Sequence, residues 1–135
     1  MCKLEKTEME DFKQWNNVKT ELHLHGRKPK ISQGQIWWAG VGKNIGNEMN
    51  GKNERFSRPI LIYKKLASDK FMAIPITSQK REGSWYVTFM QNGKHEVAII
   101  GEARTMNTRR LYRMIGEIDD TDYKRIREGF TKLYT

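Results

Sequence analysis

An internal disulfide scaffold is closed to this chain, because its 135 residues include a single cysteine, Cys2. One thiol suits a reducing compartment, and its place at the terminus argues against a catalytic role. Long apolar runs are missing as well. No stretch approaches the ~20 apolar residues that a membrane-spanning helix needs, and the charged first residues lack the apolar core of a secretion signal. The expectation is a cytoplasmic protein with no membrane partner. Acids are scarce: 16 Asp+Glu stand against 25 Lys+Arg, a net charge of +9. That balance favours polyanions, nucleic acid before an anionic membrane surface; a solubilising excess of charge is the plainer alternative. The three histidines are also too sparse to build on. His23 and His25 share a helix end and linker and His95 sits in a strand, with no acid or cysteine to complete a metal-ligand set. A two-histidine ribonuclease is a minor alternative, and ordinary surface histidines are the simpler reading. Internal repeats and low-complexity segments are absent, and the length fits one domain able to bury a core without staples.

What is present divides at Gly34. Residues 7–22 read as a helix, with Thr7 and Glu10 in capping-box spacing and Met9, Phe12, Trp15, Val18 and Leu22 forming an apolar stripe. Gly26, Pro29 and the basic Arg27-Lys28-Pro29-Lys30 make residues 24–33 a linker. Residues 1–33 are therefore an N-terminal extension and residues 34–135 the main domain. There the pattern changes to short strands at 35–41, 59–66, 70–76, 84–90 and 95–100, with Asn92-Gly93 suited to a type I′ hairpin. A strand continues over 101–106, a helical turn covers 108–112, and 113–118 is the last strand. A helix capped by Asp119 or Asp120 closes the chain, with Tyr123, Ile126, Phe130 and Leu133 on one face. Many short strands closed by one helix indicate a small barrel. The fold class is thus mainly β with helices (α+β). Residues 42–57, rich in Gly and Asn, form a loop long enough to be functional.

Chemistry concentrates at two strand ends. Arg58 immediately precedes the run Pro59-Ile60-Leu61-Ile62-Tyr63, and Thr77 immediately follows Ala73-Ile74-Pro75-Ile76. If these strands are antiparallel neighbours joined near residues 66–70, the guanidinium and the hydroxyl emerge at one sheet edge, as a phosphodiester would require. Taken singly, each has a plainer role: a surface arginine before an edge strand, and a turn residue. Arg104, Arg109, Arg110 and Arg113 cluster around Tyr112, either to track phosphates beside a stacking aromatic or to pair with acids and hold a dimer. Asn47 is placed to bond a base edge, Glu48 to order the loop near Arg58, and Gln79 to touch substrate. Turn geometry alone also accounts for the loop residues. Trp37 and Trp38 are adjacent in a strand and so point to opposite faces, one of them inward.

Read in order, these pieces resemble the MazF/PemK family of toxin endoribonucleases. The likeness runs over residues 34–135 through Gly34-Gln35-Ile36-Trp37-Trp38, Gly46-Asn47-Glu48, Arg58-Pro59-Ile60-Leu61-Ile62, Ile74-Pro75-Ile76-Thr77-Ser78 and Ile100-Gly101-Glu102-Ala103-Arg104-Thr105-Met106. It implies an SH3-like CcdB/MazF-type barrel and a homodimer. It also implies metal-independent cleavage of single-stranded RNA without a cofactor, and neutralisation by a cognate antitoxin. The family's catalytic arginine and threonine fall on Arg58 and Thr77. The expected products are 2′,3′-cyclic phosphate and 5′-OH ends, with Arg58 holding the charged phosphorane. Gln35, Asn47 and Glu102 depart from the family's usual residues, and the span from Gly46 to Arg58 is longer than usual. The alternatives on the same barrel are a non-catalytic nucleic-acid module and a CcdB-like gyrase inhibitor. The latter type relies on a C-terminal Trp-Gly-Ile, whereas this chain ends Lys132-Leu133-Tyr134-Thr135.

Overall fold

The computed structural model describes residues 3–26, 28–42, 44, 51 and 56–135. Helix α1 (Lys3–His25) opens the chain. It starts before Thr7, so the expected capping box lies inside the helix, where good helix formers at residues 3–6 extend it. Its end is set by Gly26, whose N–H donates to Leu22 O at 2.9 Å. A Cβ there would lie 2.3 Å from Leu22 O and 2.8 Å from Arg109 O, so only glycine fits. Trp15 is buried, while Met9 and Phe12 stay exposed; the stripe is used from its middle onward. The linker is pinned rather than loose, because Ile31 is 3% exposed and packs with Trp37 and Phe71.

Seven strands follow: β1 (Gln35–Gly40), β2 (Ser57–Ala67), β3 (Lys70–Thr77), β4 (Tyr86–Gln91), β5 (Lys94–Ile99), β6 (Arg104–Asn107) and β7 (Leu111–Glu117). All pairings are antiparallel, in the order β4-β5-β3-β2-β1-β7, with β6 also on β3. β3 is shared lengthwise. Residues 70–73 pair with β6, and Ile76 and Thr77 pair with β5. The chain passes between these two partners through a 3-10 turn at Ile100–Glu102, which replaces the expected continuous strand over 101–106. A second 3-10 turn at Thr108–Arg110 leads into β7, which begins earlier than expected. Gln91, ending β4, reaches toward β7: a Cβ added at Gly116 would fall 2.5 Å from Gln91 Nε2.

Residues 60–63 of β2 are buried on both faces, which explains the unbroken apolar run there. Ile60 and Ile62 join Trp37, Phe71 and Met106 on one side. Leu61 and Tyr63 join Ile36, Ile74, Ile76 and Phe89 on the other, beneath α2 (Asp120–Tyr134). The capping residue of α2 is Asp119, whose carboxylate accepts from Thr121 N at 2.8 Å. Ile126 is fully buried. Tyr63 stacks on Phe130 at 4.6 Å, and the Tyr123 hydroxyl donates to Tyr63 O at 2.6 Å. The β4–β5 turn matches expectation: Asn92 and Gly93 have φ of 52° and 76°, the two positive values of a type I′ turn. Among the described residues no helix is long and apolar enough to cross a membrane.

Candidate active site

β2 and β3 form a hairpin with Ala67 opposite Lys70 and Ile60 opposite Pro75. The ladder ends there, so Arg58 and Thr77 each lie two residues beyond its last pair at the same end of the hairpin, where Thr77 pairs with Val97 of β5. Arg58 faces Ala39 of β1. Its guanidinium is half-buried, and burial followed by the nearby charge of Arg81 pushes its pKa down. It remains a cation near neutral pH, suited to bind an anion rather than to take up a proton.

Thr77 is 5% exposed. Its Oγ1 accepts from Gln79 N at 3.2 Å, which folds the chain back just after β3. Gln79 Oε1 in turn accepts from Arg81 Nη2 at 2.8 Å. The hydroxyl thus fixes the turn, the turn carries Gln79, and Gln79 holds Arg81 close enough to act on Arg58. An oxygen that accepts from an amide still carries its own O–H for donation. Two guanidinium groups close enough to repel each other suit an anion, which would relieve that repulsion. Arg81 was not among the residues singled out from sequence. It lies in an exposed, charged turn without periodic pattern, and only the bond to Gln79 gives it a place.

Arg104 lines a cleft of about 400 Å³ with Val41, Asn44, Pro75, Glu102 and Met106. Pro75 lies on the same side of β3 as Thr77, two residues away, about 7 Å along the strand. Arg104 Nη1 donates to Val41 O at 3.5 Å, and Arg110 Nη1 donates to Gly40 O at 3.0 Å. Arg110 also lies 5.7 Å over the Trp15 ring, and burial followed by the charge of Arg104 lowers its pKa. Arg110 is therefore turned toward α1. Asn47 and Glu48 lie outside the described residues, as does much of the 42–57 loop.

The ends of the β1–β2 connection are nevertheless well defined. Phe56 O accepts from both Val41 N and Gly42 N, at 3.0 and 3.1 Å. Gly42 has φ of 93°, and a Cβ there would sit 2.4 Å from Trp15. Trp15 also meets Phe56 edge-on at 5.9 Å. One indole from the N-terminal helix thus clamps both ends of the connection that enters Arg58. Gln35 has a structural use: its Oε1 accepts from Trp37 Nε1 and from Ser32 N, both at 3.0 Å. Trp37 is the inward tryptophan and Trp38 remains partly exposed. The described residues contain no cluster of His, Cys, Asp and Glu that could hold a metal ion.

A seven-stranded antiparallel sheet with an N-terminal and a C-terminal helix is the α+β architecture of MazF structures. MazF from Deinococcus radiodurans superposes with a TM-score of 0.63 at 21% identity, covering 79% of this chain and 96% of that one. An endoribonuclease from a Mycobacterial species, solved with its cognate antitoxin, gives 0.60 at 15% identity, covering 76% and 92%. A MazE–MazF complex from Deinococcus radiodurans gives 0.58 at 18%, covering 79% and 95%. Among curated proteins none matches the chain by sequence. The chain belongs to the PemK-like, MazF-like toxins of type II toxin–antitoxin systems, whose family model matches residues 32–134.

Proposed function

We propose that this protein is a metal-independent endoribonuclease that cuts single-stranded RNA at short sequences, as a toxin held in check by a cognate antitoxin. The observation that carries the proposal is the β2–β3 hairpin, at one end of which Arg58 and Thr77 each lie two residues beyond the last ladder pair, with Arg81 tied to Thr77 through Gln79. The RNA 2′-OH attacks the adjacent phosphorus and the 5′-oxygen leaves, giving a 2′,3′-cyclic phosphate and a 5′-OH end. Arg58 neutralises the non-bridging oxygens as charge builds, and the Thr77 hydroxyl donates to one of them. Arg81 adds a second cation. Arg104 and Gln79 contact the flanking nucleotides, Asn47 and Glu48 read or order them from the β1–β2 connection, and Arg110 supports that connection from behind.

Relatives solved in complex with their antitoxins support an antitoxin partner for this chain. The homodimer and the cytoplasmic location belong to the same reading.

The test is incubation of the purified chain with a broad panel of single-stranded RNAs in excess EDTA, followed by end-labelling of the fragments. Cleavage leaving 5′-OH ends, lost in Arg58→Ala and Thr77→Ala, is the expected result. Intact RNA across the panel, or fragments that persist in Arg58→Ala, would sink the proposal.

A further inference from the structure

A cleft of about 600 Å³ lies between α1 and the β1–β7 ladder, with Ser57, the chain neighbour of Arg58, in its lining. Its size falls within the range of small-molecule sites. The barrel wall contributes Trp38, Tyr112 and Arg113, and the connection before β7 contributes Arg109. The opposite wall contributes Glu21 and His25 of α1, both outside the residues that the family model matches. The N-terminal extension therefore completes a site that the barrel alone leaves half built.

Local geometry explains why the wall is so rich in side chains. Trp38 pairs with Arg113, whereas the next residue, Ala39, pairs with Leu111. One step along β1 thus spans two along β7, and Tyr112 is taken up in the bulge. Bulges re-aim side chains, and here Leu111, Tyr112 and Arg113 in succession all line the cleft with Trp38. Charge adds a second observation. Among the described residues, no ion pair joins Glu21, His25, Arg109 or Arg113 to one another or to any other residue. Charges of both signs converge on one cleft without neutralising each other, which leaves their bonding capacity for a ligand that carries donors and an anion together.

We infer that this cleft binds a guanine nucleotide, as a residue of single-stranded RNA. Aromatic rings supply a stacking surface for an unpaired base. The Glu21 carboxylate has two acceptor oxygens, which match the adjacent N1–H and N2–H donors found only on the Watson–Crick edge of guanine. Arg109 and Arg113 meet the phosphates on either side of that base. The inference rests on the RNA-cleaving reading for its biological use, but binding itself needs no cleavage.

The test is titration of the full chain with GMP, AMP, CMP and UMP, followed by intrinsic tryptophan fluorescence and by calorimetry, with sedimentation in parallel. GMP is expected to bind at least about tenfold more tightly than the other three, the discrimination typical of a bidentate base contact. Glu21→Ala, at an exposed helical position, is expected to bring GMP down to the level of AMP without changing thermal unfolding. Arg113→Ala is expected to weaken all four nucleotides alike. Equal affinity for the four, no binding, or preserved guanine preference in Glu21→Ala would overturn the inference. A Glu21→Ala chain whose sedimenting mass changes would also overturn it, by making the cleft an interface between copies. A protein that prefers GMP yet leaves RNA intact refutes the nuclease reading alone; one that cuts RNA but binds the four nucleotides equally refutes this inference alone.

Discussion

Replacing Trp15 by alanine tests whether the N-terminal helix is part of the barrel or merely attached to it. The indole is 8% exposed and touches Gly42 and Phe56, and Arg110 lies over its ring. A buried tryptophan removes about 150–250 Å² from water, worth roughly 4–6 kcal/mol at 25 cal/mol/Å². That figure is an upper bound, because the unfolded chain already hides part of this surface. Trp15 also belongs to neither central cluster. The loss is further capped at whatever α1 gains by docking, since a released helix can cost the barrel nothing more. A loss of about 2–3 kcal/mol follows, at or below the lower end of buried tryptophan truncations. The assay is urea unfolding of both proteins, with amide exchange to locate the loss. Trp15→Ala should strip protection from α1 while leaving β3 unchanged, and Trp85→Ala, at 51% exposure, should cost under about 1 kcal/mol. A Trp15→Ala loss below about 1 kcal/mol, or α1 amides as protected as before, would refute the reasoning.

Arg81→Ala, at an exposed position, should leave stability unchanged but weaken binding of single-stranded RNA and lower the slope of log affinity against log salt by about 0.7. Fluorescence anisotropy over a salt series checks this, and an unchanged slope would place Arg81 outside the phosphate path. Alkaline stability should fall through the tyrosines. Burial raises the pKa of Tyr123 above its ordinary value, and its neutral hydroxyl donates to Tyr63 O. The unfolded chain therefore loses this proton first, so the contribution is whole below roughly pH 10 and is lost as pH rises through the higher folded value. Tyr123→Phe should be slightly less stable near neutrality yet show a shallower alkaline decline in urea midpoints. A decline as steep as in the parent chain would count against the assignment.

Much of this was legible in the sequence because it is local. The Asn92-Gly93 turn and the Asp119 cap are written in adjacent residues, and the two apolar runs framing Arg58 and Thr77 could pair in few ways across so short a turn. What escaped is tertiary. The start of α1 at Lys3 depends on summed propensity against a cap that had only matching spacing. The break at Ile100–Glu102 arises because β3 must serve two partners, a demand that no window around residue 101 contains. Arg81 has no periodic signal, and the bulge at Tyr112 exists only through the pairing of β1 with β7. The exposure of Met9 and Phe12 likewise depends on where the barrel ends beneath the helix.

The contrast between the β2–β3 hairpin and the β1–β7 ladder also orders assembly. The hairpin closes through a two-residue turn, so its loop-closure cost is small and it can form as soon as both strands exist. β7 pairs with β1 across nearly the whole barrel sequence, a long-range contact of the kind that slows folding. By contact order the β2–β3 hairpin is expected to form early, and the ladder bearing Trp38, Tyr112 and Arg113 late.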